Sequence, residues 1–279
     1  MFGSPRNRLA INEVRQTKWT TNRGSRIDWQ CFRKMSRYFD ALQSDANDRA
    51  VVDNPSTPPL TEDNGHRSHD SEKPADEEIV KLVQRLFLFS NSHAPKAVVF
   101  SSVQGHASTA ICCRVGSVLA AQGTGSVCLV DGNLRAPSLH RLFGAEKVPG
   151  LADAAFTPGP IKHFAAGISG GKFWVVPAGS RRCEAQPLLG SERMRLWMRQ
   201  LREQFGYVLI DAPPLSSHSD AALLGQMADG IILIVEANST RRENARIAKE
   251  TLESANVKLL GAILNNRTYP IPEALYRKL

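Results

Sequence analysis

Six short apolar runs, divided by helix-patterned segments, constrain what this chain can fold into more than any other feature. They are Ala97–Ser101, Val127–Asp131, Phe173–Pro177, Tyr207–Asp211, Gly230–Val235 and Leu259–Leu264. Each is continuously apolar rather than alternating, the pattern of a strand buried on both faces. Ser108–Gln122, Glu192–Phe205, Ser219–Met227 and Thr240–Asn256 carry helical patterning between them. Strands alternating with helices predict an α/β fold: a doubly wound, mostly parallel sheet with helices on both faces. Such a sheet binds ligands at the carboxyl ends of its strands, near the switch in strand order.

The first quarter of the chain reads differently. Residues 1–38 carry nine Lys/Arg against two acids, and residues 39–78 carry eleven acids against three bases. Asp53 to Asp76 is rich in Pro, Ser, Asp, Glu and Asn, a linker composition. Within the basic arm, Arg26 to Leu42 spaces Trp29, Phe32, Met35 and Phe39 on one helical face. An amphipathic helix follows over Glu77–Phe89, with Ile79, Leu82, Val83, Leu86 and Phe87 at helical intervals. These features predict a poorly ordered N-terminal extension over 1–75 and an α/β domain over 76–279. The arm is either a solvated tail or a contact for a membrane surface or partner.

At 42% hydrophobic and 22% charged residues, the composition is that of a soluble globular protein. No uncharged apolar stretch reaches the roughly 18–20 residues that span a bilayer. The N-terminus has no apolar signal region, so a cytoplasmic location is expected. The five cysteines have no metal-ligand spacing, and Cys112 and Cys113 sit in an apolar run as small core residues.

Three segments fall at strand carboxyl ends. The loop Ser101-Ser-Val-Gln-Gly-His-Ala-Ser-Thr109 lies between a strand and a helix, where main-chain N–H groups and the helix terminus can cradle phosphates. It has no lysine, and on its own it is equally a plain strand-to-helix turn. Asp131 ends the second run and, without further context, is as well explained as a helix cap. Tyr207-Val-Leu-Ile-Asp211-Ala-Pro-Pro214 places an aspartate after an apolar strand, a common arrangement by itself.

Together these segments resemble the bacterial tyrosine autokinases (BY-kinases), P-loop proteins of capsule and exopolysaccharide synthesis. The resemblance rests on Asp131-Gly-Asn-Leu-Arg135 with Pro137 and His140, on Asp211-Ala-Pro-Pro214, on Asp220-Ala-Ala-Leu-Leu, on Ala228-Asp229-Gly and on Leu260-Gly-Ala-Ile-Leu-Asn265. Pro149-Gly150-Leu151, Pro177-Ala-Gly179 and Leu188-Leu-Gly-Ser191 extend it, so that it covers about Glu77 to Leu279. It implies a P-loop NTPase fold using ATP and Mg²⁺. Asp131 and Asp211 would be catalytic, and with Thr109 they would be the metal ligands. Gly105, Ser108, Thr109, Arg135 and Asn265 would bind the cofactor, and Tyr269 and Tyr276 would accept phosphate. The implied partner is a membrane-embedded polysaccharide co-polymerase or chain-length protein, which would hold this chain at the inner face of the membrane. A homo-oligomer is also open to it, and no nucleic-acid partner is expected.

The departures cluster at function. The family's Gly-Glu-Gly-Lys-Ser-Thr, aligned without a gap, falls on Gly105-His106-Ala107-Ser108-Thr109-Ala110, so Ser108 stands where the lysine belongs. Asn133 replaces a second carboxylate. Glu78-x-x-Lys81-x-x-Gln84 replaces the Glu-x-x-Arg-x-x-Arg of the subunit-contact helix, and the tyrosine-rich tail is reduced to Tyr269 and Tyr276. The leading expectation is a regulatory protein of polysaccharide biosynthesis or export with impaired nucleotide chemistry. The rival readings are an active tyrosine autokinase and a partition-type ATPase, the latter expected to carry an intact lysine-bearing loop.

Overall fold

The computed structural model describes residues 72–89, 94–123, 125–145, 148–169, 171–180 and 183–266. Of the predicted N-terminal extension, residues 1–71, including the helix over 26–42, lie outside the described residues. Helix α1 (Glu72–Val83) begins five residues before the predicted start at Glu77 and passes into a π-helical turn over Gln84–Leu88. Ile79, Val83 and Phe87 are its buried side chains, as the spacing predicts. This helix falls in a different compact unit from residues 95–266.

The larger unit is a seven-stranded sheet. Its strands are β1 (Ala97–Ser102), β2 (Val127–Asp131), β3 (Ala166–Ser169), β4 (Phe173–Val176), β5 (Tyr207–Asp211), β6 (Gly230–Glu236) and β7 (Leu259–Asn265). They lie in the order β3-β4-β2-β5-β1-β6-β7. All neighbouring pairs are parallel except β3 with β4. The helices are α2 (Ala107–Gln122), α3 (Leu139–Leu142), α4 (Leu151–Ala154), α5 (Ala185–Leu189), α6 (Glu192–Gln204), α7 (Asp220–Gln226) and α8 (Arg242–Ser254). Every predicted strand is present to within two residues.

Burial explains why the runs are continuous. Val99, Cys128, Val130, Val208, Ile210, Ile231 and Leu233 share one core with Trp197, Met198 and Leu201 of α6, Leu224 of α7 and Leu252 of α8. Their strand neighbours Val98, Phe100, Leu129, Leu209 and Ile232 point to the other face. They are equally buried, as are Ile111, Cys112, Val115 and Leu119 of α2. With both faces covered, β1 and β2 are buried along their whole length.

Sequence patterning missed β3 and the helices α3, α4 and α5. Ala-Gly-Ile-Ser is too short and too small for an apolar run, and β3 exists because it pairs antiparallel with β4. A helix of four or five residues cannot display a period. One such turn is fixed by side chains instead: Asp153 Oδ2 accepts from the Gly150 and Ser180 N–H groups at 2.9 Å, tying 150–154 to the chain beyond β4. A Cβ at Gly150 would collide with the Pro177 carbonyl, so only glycine fits there.

Asp229 organises the end of the sheet away from the candidate site. Its Oδ2 accepts from the Lys96 and Ala97 N–H groups at 2.7 and 2.8 Å, and its Oδ1 pairs with Arg202 at 2.6 Å. Among the described residues, no helix is long and apolar enough to cross a membrane.

Candidate nucleotide site

The chain leaves β1 at Ser102, turns through Val103–His106 and enters α2 at Ala107. Gly105 sits at φ 75°, a left-handed conformation that glycine adopts without strain. Gln104 ties the turn to the segment after β6. Its Nε2 donates to the Ser239 carbonyl at 3.3 Å, and its Oε1 accepts from Asn244 Nδ2 at 2.9 Å.

The hydroxyls around this turn are already committed. The Ser108 N–H donates to Ser102 Oγ at 3.1 Å, and the buried Ser108 hydroxyl donates to the Ala212 carbonyl at 3.3 Å. Ser101 Oγ donates to the Pro213 carbonyl at 2.7 Å. The loop is therefore laced to the segment following β5. Thr109 differs, because its hydroxyl donates to Asp211 Oδ2 at 2.6 Å.

Asp131 and Asp211 are direct register partners on β2 and β5, both fully buried. Asp131 Oδ1 accepts from the Asn133 N–H at 3.2 Å, and Oδ2 accepts from the Ser138 and Leu139 N–H groups at 3.0 Å. Asn133 in turn accepts from the Ala136 N–H at 3.1 Å, so these two side chains fold the turn that starts α3. Burial pushes the Asp131 carboxyl up to about 6, against the pull of those N–H donors. Burial, and then the charge of Asp131 beside it, push Asp211 up to about 7, while the Thr109 hydroxyl pulls the other way. Asp211 Oδ1 is buried without a hydrogen-bond partner. A buried orphan oxygen is uncommon and marks a place for a proton, a water or a cation.

The remaining sequence candidates are placed apart from this group. Arg135 is bound to Asp220, the buried first residue of α7, with Nε at 2.8 Å and a second guanidinium nitrogen at 3.3 Å. Asn265 ends β7, in register with Glu236 and two strands from β1. Its carbonyl accepts from the Ala237 N–H at 2.8 Å. Tyr269 and Tyr276 lie outside the described residues.

Glu236 was not singled out by motif reasoning, yet it belongs to this group. It ends β6, the neighbour of β1 on the side opposite β5, with its carboxylate against Gly105. Its position at a strand carboxyl end was the available signal.

Two kinds of ligand fare differently here. The orphan Asp211 oxygen, with Thr109 and Asp131 beside it, suits a hard cation that keeps several waters, as Mg²⁺ does. Among the described residues, no three His, Cys, Asp or Glu side chains converge as a closed metal cage. Phosphates are less well served. The amide of Ser108 is satisfied internally, its hydroxyl is turned into the protein, and no lysine is present in the loop.

No protein-family model matches the chain. The tyrosine-protein kinase YwqD of Bacillus subtilis is 29% identical over 174 residues, covering 61% of this chain and 71% of YwqD. The kinase domain of the Escherichia coli tyrosine kinase Etk superposes with a TM-score of 0.65 at 22% identity, covering 76% of this chain and 87% of that domain. The chimerical protein CapA2B2 gives a TM-score of 0.65 at 22% identity, covering 72% of this chain and 89% of its own. At that identity the two structures establish the fold. The chain is thus similar in sequence to a bacterial tyrosine-protein kinase and shares the fold of bacterial tyrosine-kinase domains.

Proposed function

We propose that this chain is a regulatory member of the bacterial tyrosine-kinase family, serving polysaccharide synthesis or export, whose nucleotide site keeps a magnesium subsite and has lost its grip on phosphate. The observation that carries this reading is Ser108. It stands at the position of the loop lysine, and its hydroxyl is spent on the Ala212 carbonyl. A charge-assisted hydrogen bond contributes about 1.5–3 kcal/mol, so losing one costs roughly ten- to a hundredfold in affinity. Phosphoryl transfer depends chiefly on positioning and charge stabilisation, so turnover suffers more than binding.

On this reading Asp211, Asp131 and Thr109 hold Mg²⁺, which would supply charge neutralisation to a bound phosphate. Gly105 shapes the loop, and Asn265 lies toward the base of a nucleotide. Arg135 positions the turn after β2 through Asp220 and is not a phosphate ligand. The partner is a membrane-embedded chain-length or co-polymerase protein, with this chain on the cytoplasmic side. Asn133 in place of a carboxylate leaves the site one negative charge short for metal-assisted chemistry.

The second reading is an active autokinase, favoured by the Thr109–Asp211 pair and the free Asp211 oxygen. Incubating purified full-length chain with Mg-ATP separates the two. No phosphotyrosine is expected, while deletion of the gene still alters polysaccharide amount or chain length. Phosphate on Tyr269 or Tyr276 that disappears in Asp211→Asn establishes the kinase reading instead.

A further inference from the structure

We propose that Glu236 sets the ligand class of this site, its carboxylate excluding phosphate groups from the loop around Gly105. The proposal deepens, and rests on, the reading of a P-loop site without a phosphate grip.

Glu236 Oε1 lies 3.3 Å from where a Cβ on Gly105 would stand, and the carboxyl carbon and Oε2 lie at 3.6 Å. The side chain is half-buried, and its carboxylate has no hydrogen-bond or ion-pair partner among the described residues. Its backbone is held in place. The Glu236 N–H donates to Thr240 Oγ1 at 3.0 Å, and Gln104 bridges the loop to Ser239 and Asn244.

An anion cradled by this loop would sit within a few ångströms of an uncompensated full charge. That distance is inside the Debye length of about 8 Å at physiological ionic strength, so salt does not remove the repulsion. Sheet order makes the effect one-sided. Asp211 flanks β1 from β5 and Glu236 flanks it from β6. A cation held by Asp211 and Thr109 neutralises the first side and leaves Glu236 facing the loop. Restoring a lysine at Ser108 would therefore not restore binding by itself, and Ser108 is too buried to receive one without disturbance.

Titration of the full-length chain with Mg-ATP and with adenosine tests this, comparing wild type with Glu236→Gln and Glu236→Ala. Both variants should bind Mg-ATP at least about tenfold tighter at low ionic strength, with the ratio shrinking at high salt. Adenosine, which has no phosphate, should bind all three alike. Mg-ATP affinities within about twofold of each other, no measurable binding by any of the three, or an equal gain for adenosine would overturn the proposal. Tight binding by wild type with a further gain in Glu236→Gln would sink the weak-site reading and leave Glu236 in its role.

Discussion

Asp131 and Asp211 sit side by side and fully buried; burial makes each harder to ionise, and the charge of Asp131 adds to the effect on Asp211. Asp211 is displaced from 3.8 to about 7, and Asp131 from 3.8 to about 6. The folded chain holds these protons more tightly than the unfolded chain does. Their contribution to stability is therefore complete below about pH 4 and is lost as pH rises through 6 and 7. For Asp211 alone the loss amounts to at most about 4 kcal/mol. In magnesium-free buffer the melting temperature should fall between pH 5 and pH 8. Asp211→Asn, which keeps the Thr109 hydrogen bond and carries no charge, should flatten that slope and melt higher than wild type at pH 8. A variant that melts lower at pH 8 would show that the ionised carboxylate is stabilising. The positions of both aspartates were legible, because each ends an apolar strand. The roles of Ser102, Ser108 and Glu236 were not, because each depends on a partner more than five residues away or on another strand.

The turn after β2 and the start of α7 are joined by one ion pair. Asp220 is fully buried and Arg135 is 38% exposed. Removing the guanidinium leaves a buried carboxylate without its counter-charge, which costs about 3–5 kcal/mol for a fully buried pair. Because Arg135 reaches solvent, Arg135→Ala should cost somewhat less, roughly 2–3 kcal/mol, read as a lowered denaturation midpoint with an unchanged slope. Adding Asp220→Asn should recover part of it. A cost below about 0.5 kcal/mol in Arg135→Ala would mean that water replaces the pair. Strands and long helices of the α/β unit could be read from the sequence because burial on both faces writes itself as continuous apolar text. The antiparallel β3 and the helices α3 to α5 could not, since they are set by pairing, by the Asp153 clip and by Asp131 acting on the α3 turn.

The whole chain joins a basic arm, an acidic stretch and an α/β unit, and beyond the short pattern over Arg26 to Leu42 the arm carries no sustained hydrophobic period. Deleting residues 1–71 should leave the melting temperature of the remainder nearly unchanged, whereas a large drop would show that the arm packs on it. The charge of the arm makes a membrane surface or a partner the binding candidate, with a solvated tail as the alternative. Over the matched region the fold is shared with the kinase domains, and the departures that bear on phosphate lie at the loop after β1. The central claim is that those departures leave no effective grip on phosphate, and calorimetry of the full-length chain with Mg-ATP addresses it most directly. Binding weaker than about 100 μM, or none, is expected; a dissociation constant of about 1 μM or tighter, near −8 kcal/mol, would contradict it.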